Sequence, residues 1–132
     1  MKITADTNVL VRAAARDDLR QAIAAEHALR KAEAIAIPIA AFCEFVWVMR
    51  QGFKRPTAEI AQSLRSLLDS AKVITNRPVA EAGLSALEAG GDFADGVIAY
   101  EGAWLGAEQF ISFDKQAVNL LRAQGHKARL LT

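Results

Sequence analysis

The strand-like runs of this chain lack a polar face, and that constrains its fold most. Lys2 to Ala5, Ala34 to Ile37, Val73-Ile74, Gln109 to Phe113 and Ala128 to Leu131 are short, bounded runs with no sustained period-two alternation of apolar and polar residues. A strand wetted on one face of an antiparallel sheet alternates, whereas a strand covered on both faces does not. Helix-length segments separate the runs, so strands and helices alternate along the chain. That order predicts an α/β fold with a central, mostly parallel sheet covered by helices on both sides. With 132 residues, 52% of them hydrophobic, the chain suits a single domain, 1-132, with one filled core.

The helices show their own punctuation. A short helix is expected from Asp6 through Val11 to Ala15, and Asp17 and Asp18 can cap a longer one with Leu19, Ile23, Ala24 and His27 on one side. Ile39 to Gln51 reads as a strongly apolar helix stopped by Gly52. Thr57 is a suitable N-cap for Ala58 to Ala71, whose stripe is Ile60, Leu64, Leu67 and Leu68. Pro78 opens a helix towards Glu88 that Gly90-Gly91 closes; Asp92 starts another, and Lys115 to Ala123 is the last.

The single cysteine, Cys43, leaves no intrachain disulfide and fits a reducing compartment. The N-terminus has no basic segment followed by a long apolar one, and no apolar run reaches the about 20 residues of a membrane span. We therefore expect a cytoplasmic protein without a membrane. The net charge of +1 does not by itself announce a nucleic-acid binder. Gathering several acids into one site would leave the remaining surface basic, an arrangement suited to a metal-dependent enzyme acting on a polyanion.

Four acids occupy unusual places. Asp6 follows the first strand in Ala5-Asp6-Thr7-Asn8, and Asp114 follows the apolar strand Phe110 to Phe113. Asp95 lies in the first turn of the helix that begins Asp92-Phe93-Ala94-Asp95, and Glu44 lies inside the apolar helix around Phe42 and Phe45. Each has a plain structural explanation: Asp6, Asp92 and Asp114 suit N-caps, and Asp95 suits a positive helix terminus. Glu44 resists that explanation most, because a carboxylate is costly to bury unless it is paired or metal-bound. In a parallel sheet the strand ends and following helix starts gather on one edge, where α/β sites form. Two like charges ~4 Å apart repel by about 4 kcal/mol at an effective dielectric near ~20. Converging carboxylates would thus take up protons or a cation, and oxygen ligands favour Mg²⁺ or Mn²⁺ over zinc.

Asp6-Thr7-Asn8 near the start, Glu44 on its apolar helix, Asp92-Phe93-Ala94-Asp95 followed by Ile98-Ala99, and Phe113-Asp114-Lys115 together resemble the PIN-domain family, most of all its VapC-type ribonuclease toxins. The resemblance implies a three-layer α/β/α sandwich and an Mg²⁺-dependent endoribonuclease, with Mn²⁺ able to substitute. It implies that Asp6, Glu44, Asp95 and Asp114 are the catalytic, metal-holding quartet, hydrolysing RNA phosphodiesters with metal-activated water. Thr7 and Asn8 match small polar residues that support the first acid, and Asp92 is open to a supporting role. A VapB-type antitoxin and a homodimer are implied as partners. Ser112 and Gly96 stand where threonine and alanine are common in the family.

Two other readings compete. One is a catalytically idle PIN-like binding module. The other is a phosphatase with Asp6 as nucleophile, against which Asn8 stands where that chemistry wants a second Asp. His27, His126 and Cys43 lack metal-ligand spacing, and no glycine-rich phosphate loop is present. Arg12, Arg16, Lys54, Arg55 and Lys115 are candidates for RNA phosphates. Phe45, Trp47, Val48, Met49 and Phe53 are mostly core, with some expected to line a groove or a dimer face.

Overall fold

A computed structural model describes Met1–Thr132. The elements run β1 (Lys2–Thr4), α1 (Thr7–Ala15), α2 (Leu19–Lys31), β2 (Ala34–Ala36), α3 (Ile39–Trp47), a π-helical turn (Val48–Gly52), α4 (Thr57–Asp69), β3 (Val73–Ile74), α5 (Arg77–Glu88), α6 (Phe93–Trp104), β4 (Phe110–Ser112), α7 (Lys115–Ala123) and β5 (Ala128–Leu130). The backbone divides into two compact units, Met1–Arg77 and Pro78–Thr132.

The first unit holds a three-stranded parallel sheet in the order β1-β2-β3. Ile3 lies opposite Ile35, and Ile35 opposite Val73. Helices connect each parallel pair, as a parallel crossover requires. Ile35, Ile37, Phe42, Phe45, Met49, Ile60, Leu64 and Val73 are buried and form its apolar interior. The second unit pairs β4 with β5 in parallel through α7, with Phe110 opposite Ala128. Ala99, Val118, Leu121 and Ala128 make its buried cluster, against which Phe110, Leu120 and Leu130 pack. No helix is long and apolar enough to cross a membrane.

Three local expectations need correcting. Leu19 and Ile23 do not face inward: they are 61% and 56% exposed, and α2 buries Ala22 and Ala25 instead. The small alanines permit close packing on α1. The helix after β2 reaches Gly52, as expected, but not as regular α-helix throughout. It widens at Val48 into the π-helical turn, with Phe53 N–H reaching Val48 O at 3.2 Å. Lys54, two residues beyond Gly52, adopts the left-handed backbone, φ 53°. Thr57 is not the N-cap of α4; Pro56 holds that position, and the Thr57 hydroxyl accepts a hydrogen bond from Arg50 at 3.2 Å.

Gly96 is explained by packing. A Cβ there would lie 2.5 Å from the carbonyl oxygen of Ala82 and 2.8 Å from the Ala86 methyl. Its lack of a side chain lets α6 lie directly on α5, and that closeness positions the first turn of α6, which carries Asp95.

Candidate active site

Within the first unit the carboxyl edge of the sheet presents Asp6, two residues past β1. Asp6 is the N-cap of α1, and its Oδ1 accepts a hydrogen bond from Thr7 N–H at 2.8 Å. Thr7 is the chain's one buried polar residue, 7% exposed. Its hydroxyl donates to Glu44 Oε2 at 2.8 Å, across 37 positions of sequence. One threonine therefore serves two carboxylates: its backbone holds Asp6 and its side chain holds Glu44. Asn8 is exposed beside it and lines the shallow groove between α1 and α2 with Arg12 and Gln21.

Glu44 is not the buried charge that the apolar helix suggests. In α3, Ala41, Phe42, Phe45 and Val46 face the core, while Ala40, Glu44 and Trp47 lie on the open side. That i, i+4, i+7 spacing is one helix face, so the carboxylate keeps its hydration and one directional partner. The high apolar content of α3 reflects how wide its buried side is.

In the second unit, Asp92 caps α6, its Oδ1 accepting from Ala94 N–H at 3.2 Å. Asp114 caps α7, accepting from Ala117 N–H at 3.1 Å, and its own N–H donates to the Ser112 hydroxyl at 2.9 Å. Serine in the residue-112 position thus supplies the acceptor that fixes the approach of the chain to Asp114. Asp95, in the first turn of α6, is half-buried. Burial pushes its carboxyl above the usual range, and the negative charges of Asp92 and Asp114 push it further the same way. None of these three acids has a Lys or Arg partner. No three acidic, histidine or cysteine side chains close on one point. Asp6 and Glu44 belong to the first unit, Asp95 and Asp114 to the second.

The cations sort themselves by partner. Arg12 pairs with Asp17 at 2.6 Å, Arg16 pairs with Glu26, and Arg55 pairs with Glu59 at 2.6 Å while also donating to Ala15 O. Lys54 and Lys115 are exposed and form no ion pair. Of the five basic candidates, these two are the ones free to meet a phosphate.

Comparison with known families decides the class: the PIN domain matches residues 3–120, a span that includes all four acids. The chain belongs to the PIN domain family. A search of curated proteins finds no match. PIN domains have the α/β, three-layer fold that the alternation of strands and helices predicts, and they are in general nucleases that act on nucleic acid and typically use divalent metal ions. The candidate ligands of this PIN domain are carboxylate oxygens only, the donor type that hard cations prefer, and the negative charges of Asp92 and Asp114 act on Asp95.

Of the apolar residues around this helix that were expected to divide between core and surface, Phe45 and Met49 are buried and Trp47 is 66% exposed. Its spacing of three from Glu44 was the available signal, since it places both on one face.

Proposed function

We propose that this chain is an Mg²⁺-dependent endoribonuclease, the toxin of a toxin–antitoxin pair, and that both units belong to one PIN domain spanning 1-132. The observation that carries this reading is the PIN domain match over residues 3–120, in a family whose members are generally nucleases, and beside it Thr7 ties the carboxylates of Asp6 and Glu44 together. Asp6, Glu44, Asp95 and Asp114 would hold the ion, with Mn²⁺ able to replace Mg²⁺. When bound, a divalent ion polarises the phosphodiester and makes water more acidic.

The protein's own groups do the rest. Backbone N–H groups at the starts of α1 and α7 each hold one oxygen of Asp6 and of Asp114, leaving the second oxygen of each for a ligand. Thr7 fixes the orientation of Glu44. Asp92 adds negative potential beside Asp95 without needing to touch the ion. Lys54 and Lys115 are available to RNA phosphates. A VapB-type antitoxin as inhibitor, a homodimer and a cytoplasmic location complete the same reading.

The test is cleavage of a mixed RNA pool by the purified chain with Mg²⁺, with Mn²⁺ and with EDTA, and by Asp6→Asn. Asparagine caps a helix as well as aspartate does, so this variant removes charge while keeping the start of α1. Cleavage that needs metal and disappears in Asp6→Asn is expected. Cleavage that survives both EDTA and the substitution would overturn the proposal.

A further inference from the structure

Trp47 is a large apolar group standing in water next to a candidate catalytic acid. It is 66% exposed, although tryptophan is on average highly buried. Three residues separate it from Glu44 on the same helix face, a rise of ~4.5 Å along α3. The residues around it on that face are not an apolar patch. Ala40, Glu44, Gln51 and Gly52 are exposed, small or polar, and Val48 beside it is half-buried. A protein-docking surface needs contiguous apolar area. A single exposed indole flanked on its helix by small and polar residues suits a flat, polar-edged ligand that covers only the ring.

Resting on the nuclease reading above, we propose that Trp47 is a base-stacking platform: it binds the face of an unpaired RNA base next to the phosphate addressed by the acids. Single-stranded RNA offers unstacked bases that aromatic side chains accept regardless of sequence. The position of Trp47 on α3 is set by the same helix that presents Glu44, so a base seated on the indole places its own backbone along the face that carries the carboxylate. The π-helical turn begins at the very next residue and carries the chain to Lys54, which has no ion-pair partner and is free to meet a neighbouring phosphate. Stacking fixes where along the strand the enzyme sits while leaving the base identity weakly read.

The chain has two tryptophans, so Trp104→Phe leaves Trp47 as the sole indole emitter. In an Asp95→Asn, Trp104→Phe protein with Mg²⁺, dye-labelled single-stranded penta-adenylate and penta-uridylate are titrated while indole emission and dye anisotropy are followed together. Stacking predicts saturable quenching of Trp47 with the same Kd as the anisotropy change, and tighter binding of the purine strand. Replacing Trp47 with Ala weakens binding about tenfold, whereas Trp47→Phe keeps most of it. The slope of affinity against salt stays the same in both, because the indole neutralises no phosphate. In the otherwise native chain, Trp47→Ala raises KM for RNA cleavage and leaves kcat nearly unchanged.

RNA binding seen by anisotropy without quenching, and unchanged in Trp47→Ala, would overturn the platform and leave the nuclease reading standing. A Trp47→Ala protein that binds RNA normally but changes from dimer to monomer in sedimentation would also overturn it, assigning the indole to a protein contact. Native chain that neither binds nor cleaves RNA would overturn the nuclease reading and the platform with it.

Discussion

Thr7 joins two acids that the sequence shows only as separate oddities. Its hydroxyl bond to Glu44 spans 37 positions, and no local pattern announces such a pairing. Replacing it by valine keeps the buried shape and the N–H that Asp6 accepts, and removes only the hydroxyl. A hydrogen bond to a charged acceptor contributes about 1.5–3 kcal/mol, and the exposure of Glu44 places this one at the lower end, because water can replace the lost donor. We expect Thr7→Val to lower metal-dependent cleavage about tenfold and the melting temperature by a few degrees, and Thr7→Ser to recover most of the cleavage; equal rates for Thr7→Val and the native chain would contradict the positioning role. Asp95 carries a prediction about pH. Its carboxyl titrates above the usual range in the folded state, so the folded chain holds a proton that the unfolded chain has released. Metal-free stability must therefore fall as pH rises from the ordinary carboxylate range through the raised value. In Asp95→Asn that fall is reduced. Chemical denaturation across the acidic range, in EDTA, checks the sign: stability rising over that window in the native chain but not in Asp95→Asn would contradict it. Asp6, Asp92 and Asp114 were legible both as caps and as candidate ligands, and the structure shows each of them capping through one oxygen. The two roles do not compete, since a carboxylate has two oxygens.

At the scale of elements, the sequence is most informative where a helix has a strong start. Asp18, Asp92 and Asp114 were all readable as N-caps, and α2, α6 and α7 begin just after them. It is least informative where packing overrides local preference. Leu19 and Ile23 point outward, and Ala22 and Ala25 fill the buried side of α2. The wide turn after Trp47 cannot be read from Val48-Met49-Arg50-Gln51-Gly52, since nothing in those residues distinguishes a π-helical turn from another turn of α-helix. Gly96 shows the same contest with numbers on both sides. Alanine gains about 1 kcal/mol over glycine in a helix interior. Overpacking a close contact costs about 1–3 kcal/mol, and the obstructing atom here is the Ala82 carbonyl oxygen, which cannot rotate away. The clash should win, so Gly96→Ala is expected to lower stability by about 1 kcal/mol in urea denaturation despite its better helix propensity, and to weaken cleavage by displacing the turn that carries Asp95. A stabilised variant would show that α5 and α6 have room to separate.

At the scale of the molecule, the family match crosses the boundary between the two compact units, and so does the proposed set of acids. The family resemblance suggests the members of that set, but it says nothing about how strongly the units depend on one another. Stability measurements do. If the whole chain is one PIN domain, Met1–Arg77 and Pro78–Thr132 unfold together, and thermal melting followed by far-UV and near-UV signals gives coincident transitions. If the four carboxylates hold a divalent ion only in the folded state, Mg²⁺ at about a hundred times its Kd raises stability by about 2.7 kcal/mol, and EDTA reverses the gain. The two effects are coupled through the acids. Asp6→Asn in the first unit and Asp114→Asn in the second keep their helix caps and lose a charged ligand, so each should abolish the Mg²⁺-induced shift while leaving metal-free melting close to native. A shift lost on substitution in one unit but intact on substitution in the other would mean that the ion belongs to a single unit, and that the quartet is not one site.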